Sequence, residues 1–77
     1  MDIVDTLFHG LALIVREYNG TKDINRFGDL LIEFIATLRE VDMTAEQRYI
    51  LVKQLNKVTE ELCKIVISGE HKTIILI

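Results

Sequence analysis

From Thr44 to Val66 the large apolar residues Leu51, Leu55, Val58, Leu62 and Ile65 are separated by alternating steps of four and three. At 3.6 residues per turn, that spacing stacks them on one stripe of an α-helix. A stripe of this kind has to be covered by another apolar surface, and two further segments offer one. Val4, Leu7, Leu11, Ile14 and Tyr18 keep the same rhythm, with Ile3, Phe8 and Val15 widening it. Ile24, Phe27, Leu31, Phe34, Leu38 and Val41 repeat it again, flanked by Leu30 and Ile35.

The residues between these stripes mark where helices begin and end. Asp2 is suited to cap the first helix, with Asp5 in its first turn, where negative charge suits the helix dipole. Asn19-Gly20 reads as its stop, because either residue tolerates the left-handed conformation that closes a helix. Asp23 can cap the second helix, and Val41-Asp42-Met43 makes a corner. Thr44 followed by Gln47 fits a capping box at the head of the third. Ser68-Gly69 ends it. Gly10 and Gly28 interrupt helical stretches without shifting their phase, so each is expected where a neighbouring helix comes close. On the third helix, Glu60 and Lys64 are expected to pair at i and i+4. The chain thus reads as an all-α, antiparallel three-helix bundle in one domain spanning 1–77, with helices at about 2–19, 23–41 and 44–67.

The end of the chain differs in character. Residues 70–77 close on Thr73-Ile74-Ile75-Leu76-Ile77, a continuous β-branched run that reads as a short extended apolar tail. A lone strand leaves backbone groups unpaired, so the tail is expected to pair with the same segment of a second copy; the rival arrangement packs it back on its own bundle. Composition supports a dimer. Hydrophobic residues make up 49% of only 77 residues, more than a small monomer easily hides.

Several function classes fit the chain poorly. A net charge of −3 spreads the basic residues among acids, so a general nucleic-acid surface is not expected. One cysteine rules out an internal disulfide, and with two distant histidines it makes no zinc site, so neither metal nor cofactor is expected. Met1 is followed by Asp2 and Asp5 rather than by basic residues, and no apolar run approaches the roughly 20 residues of a membrane span. A cytoplasmic protein is expected. Asp5 and His9 are the one acid–imidazole pair a helical turn apart, and a surface hydrogen bond explains them without catalysis. Cys63, one position off the stripe, reads as an inert, half-buried thiol.

The reading that remains is a small non-enzymatic interaction or regulatory protein, acting through amphipathic helices and homodimerisation. Its binding residues should be the apolar ones left over once the stripes are covered: Ile32, Tyr49, Ile50 and Ile67, joined by Ile74, Ile75, Leu76 and Ile77 of the tail. An alternative is a DNA-associated regulator with a helix-turn-helix over 24–66, in which Arg48, Lys53 and Lys57 reach the nucleic acid. An enzyme with its site at a helical dimer interface is a third reading, for which no converging polar groups are apparent.

Overall fold

Each helix begins where a short polar side chain takes up a free backbone N–H. In the computed structural model, which describes residues 2–76, the helices are α1 (Ile3–Thr21), α2 (Ile24–Glu40) and α3 (Ala45–Ser68). Asp2 accepts from the Val4 N–H at 3.2 Å, and Asp23 accepts from the Arg26 N–H at 3.2 Å. At the head of α3 both halves of the capping box form: the Gln47 N–H donates to the Thr44 hydroxyl at 3.1 Å, and the Thr44 N–H donates to the Gln47 side chain at 3.0 Å. Such caps are each worth about 1 kcal/mol.

The helix ends are less uniform. α1 runs through Asn19-Gly20, the expected stop, and closes two residues later with Lys22 in the left-handed region at φ 58°. Asn19 is occupied elsewhere, as described below, and Gly20 keeps helical geometry. α3 ends as its sequence suggests, with Gly69 at φ 74° and its N–H bonded to the Ile65 carbonyl at 2.8 Å. At the end of α2, Arg48 reaches over from α3. Its guanidinium donates to the Leu38 carbonyl at 2.6 Å and to the Val41 carbonyl at 3.1 Å, satisfying oxygens the helix itself leaves free.

α1 is the central helix, and α2 and α3 both pack against it while scarcely touching each other. Leu7, Leu11, Val15 and Tyr18 of α1 meet Phe27, Leu31, Phe34 and Leu38 of α2 and Leu51, Leu55, Val58 and Ile65 of α3 in one core. Tyr18 stacks on Phe27 with ring centroids 4.6 Å apart, which fixes the last turn of α1 against the first turn of α2. The first half of α2 lies opposite the last turns of α3, so the order is up, down, up. The long axis of 37 Å is close to the length of 24 helical residues at 1.5 Å each.

Within the single chain the tail lies back on its own bundle, the rival of the two arrangements expected of it. No strand is present among the described residues; the segment after Gly69 turns back onto the end of α1. The Asn19 carboxamide donates to the Ile74 carbonyl and accepts from the Ile74 N–H, both at 2.8 Å, so one side chain does for Ile74 what a neighbouring strand would have done. The Tyr18 hydroxyl donates to the Lys72 carbonyl at 3.0 Å, and Lys22 Nζ to the Thr73 hydroxyl at 2.7 Å. Ile74 is consequently 5% exposed and belongs to the core of its own chain.

Other local expectations also need correction. A side-chain carbon built at Gly10 or Gly28 would meet nothing within 4 Å, so neither glycine marks a close helix approach. Lys64 pairs with Glu61 at 3.3 Å, three residues back, rather than with Glu60. Cys63 is exposed rather than half-buried. No helix among the described residues is long and apolar enough to cross a membrane.

Candidate functional site

The surface most suited to recognition follows from the way α1 separates its neighbours. Because α2 and α3 turn their stripes toward α1, the gap between them stays open along one side and forms a groove of about 500 Å³. On α2 it is lined by Ile24, Gly28 and Ile32, which fall four residues apart and therefore in one row. Leu62, Val66 and the buried Ile65 line it on α3. Gly28 sits in the middle of the α2 row, where any side chain would narrow the gap. Asn25, Asp29 and His71 give the groove a polar edge.

Its floor is apolar and its walls are left uncovered. Ile32 and Val66 are each 67% exposed, although both are large aliphatic side chains facing the same gap. An apolar floor with a few polar groups at its rim can hold the apolar face of another helix.

The residues singled out from the sequence are not brought together. Ile32 lines the groove. Ile67 is 86% exposed and borders a different depression with Lys64, Ser68 and Glu70. Tyr49 and Ile50 are exposed near the start of α3, at the far end of that helix from Val66. Ile75 is exposed, and Leu76 is partly buried against Val58 and the α3 residues around Lys57 and Glu61. Ile74 is buried in the core, so its side chain is not free for a partner, and Ile77 lies outside the described residues. Val66 was not singled out from the sequence, and Gly28 was expected at a close helix approach rather than in the lining of an open gap. Val66 follows Ile65 on the stripe edge, and its exposure depends on how far α2 stands from α3.

Charged groups near the ends of the helices have structural work. Burial raises the Tyr18 phenol above its ordinary value of 10.0, consistent with its place under the tail. The Glu17 carboxylate, 2.9 Å from Arg26 Nε, raises the guanidinium further by hydrogen bonding and charge, and the pair ties α1 to α2 at the surface. Arg48, a residue the DNA reading needs, is committed to the α2 carbonyls. Among the described residues no three His, Cys, Asp or Glu side chains converge as a metal would require. No family model matches the chain, and no curated protein or solved structure was found to be similar to it.

Proposed function

We propose that this is a small non-enzymatic interaction or regulatory protein, which dimerises and presents the groove between α2 and α3 as its binding surface. The observation that carries this reading is the pair of two-thirds-exposed aliphatic side chains, Ile32 and Val66, facing one open gap over an apolar floor. Leaving such surface in water is costly at about 25 cal/mol per Å², and covering it by another helix recovers that free energy. The cytoplasm is the proposed site of action, where an exposed Cys63 thiol stays reduced.

Light scattering on the intact chain tests the reading. The expected mass is twice 8.9 kDa, falling to 8.9 kDa in Ile32→Asp with helix content unchanged. A charge placed on the groove wall would have to be desolvated in any complex, which is why this substitution separates binding from folding. A parent chain that stays at 8.9 kDa at every concentration would sink the dimer.

A further inference from the structure

The place where the tail lies on α1 has the make-up of a peptide site. The Asn19 carboxamide donates to the Ile74 carbonyl and accepts from the Ile74 N–H, and the Tyr18 hydroxyl donates to the Lys72 carbonyl. All three bonds go to main-chain atoms, which any extended segment offers. Side chains enter at alternate positions: Ile74 is buried and Leu76 partly so, while Ile75 between them is exposed. The slot therefore holds an extended segment by its backbone and takes apolar side chains two residues apart.

The link that brings the tail there is loosely held. Residues 69–73 are all exposed, and past the Gly69 cap the bonds among them are local, from the Glu70 N–H to the Ser68 hydroxyl and from the Lys72 N–H to the Glu70 carbonyl. Releasing the tail uncovers Ile74 and Leu76 and leaves all three helices intact, so it is a local opening rather than unfolding. We propose that the slot is filled in trans: in the dimer, the tail of each copy lies on Tyr18 and Asn19 of the other, the two links crossing at a two-fold axis. Bonds inside the slot are the same whether the tail is a chain's own or its partner's, so they cancel. The balance turns on surface that only the exchanged form covers.

That surface flanks the link. Ile67 before it and Ile75 after it, 86% and 81% exposed, are the most exposed large apolar side chains among the described residues. They stand four residues either side of His71, with Glu70 and Lys72 immediately beside it. An axis at His71 sets Ile67 of one copy beside Ile75 of the other and Glu70 beside Lys72, each contact made twice. Within a chain Lys72 already pairs with Glu70 and Lys64 with Glu61, so the link carries no uncompensated charge to oppose the approach. Gly69 and His71 also line the groove with Ile32 and Val66, which places the crossing at the groove's end. A charge at Ile32 then returns each tail to its own chain.

This inference rests on the dimer proposed above, and its test distinguishes the two. Equal parts of isotope-labelled and unlabelled parent chain are unfolded together and refolded, and isotope-filtered NOE spectra are read between the Asn19 carboxamide and Ile74. The contact is expected between a labelled chain and an unlabelled one. A second measurement mixes two full-length variants, each shown to be folded by circular dichroism: labelled Asn19→Ala, which keeps its tail but lacks the clamp, and unlabelled Ile74→Asp, which keeps the clamp. Mixing should slow exchange of the labelled Ile74 amide by at least about tenfold, because its tail now has an intact slot to enter. The first measurement uses the parent alone, so it stands whatever the stability of the variants. A parent dimer whose Asn19–Ile74 contacts all lie within one chain, or an Ile74 amide as fast in the mixture as alone, overturns tail exchange and leaves the interaction reading standing. A monomeric parent overturns both.

Discussion

Two regions of the bundle, the tail on α1 and the gap between α2 and α3, are built differently. Where the tail meets α1, the backbone N–H and carbonyl of Ile74 and the carbonyl of Lys72 have partners on α1, and Ile74 fills the core beneath them. Where α2 meets α3, large aliphatic side chains stand over a gap with nothing across it. Both regions are rich in isoleucine, so composition does not separate them. The difference lies in whether the chain supplies its own cover: Asn19 and Tyr18 give the tail a place to lie, whereas α2 and α3 turn their stripes toward α1 and leave the gap between them open.

The largest effect is expected in the core that both regions share. Leu51 is fully buried, and Leu51→Ala should destabilise the fold by about 2–5 kcal/mol, whereas Ile32→Ala should leave the melt of the monomer within about 0.5 kcal/mol of the parent. Denaturant titration at high dilution measures both. Similar losses would mean that the groove wall is as much a part of the core as α1.

A smaller effect is expected at the tail. Asn19→Ala leaves two backbone groups of a buried residue without partners and should cost about 1–3 kcal/mol, with faster amide exchange at Ile74. Unchanged exchange there would show that the carboxamide does not hold the tail.

The smallest change concerns the Tyr18 hydroxyl. Tyr18→Phe removes the bond to Lys72 and should cost about 0.5–1.5 kcal/mol at neutral pH. The sign of its pH dependence follows from burial. The folded phenol titrates above the unfolded value of 10.0, so between the two the folded chain keeps a proton that the unfolded chain has lost. Stability attributable to Tyr18 is therefore full below pH 10 and falls as pH rises beyond it, and the phenylalanine variant should lack that part of the alkaline loss. Parallel alkaline slopes for the two proteins would remove Tyr18 as its cause.

Much of the architecture was legible before any coordinates. The stripes at Leu7, Leu11 and Tyr18, at Phe27, Leu31 and Phe34, and at Leu51, Leu55 and Val58 are the buried residues, because a helical period places a side chain on a face whatever lies opposite. The capping residues Asp2, Asp23 and Thr44 were equally readable, since a cap acts on backbone groups only two or three residues away. Of the groove, Ile32 stood out as an isoleucine off its stripe. Val66 did not, because being next to a buried Ile65 gives no sign of exposure. The reach of Asn19 to Ile74 spans 55 positions, and no local pattern encodes a contact of that separation.

The sequence by itself determined three amphipathic helices, their caps and the faces they bury, all consequences of interactions within about one helical turn. Only the tertiary structure decided that α1 rather than α3 is the centre, that the tail lies on α1, and that α2 and α3 stay apart. Those outcomes depend on how three stripes of similar strength share one core, and on single side chains such as Asn19 and Arg48 whose effect appears only once distant segments are side by side. Spacing sets which face of a helix is apolar; packing sets which part of that face is left for something else to cover.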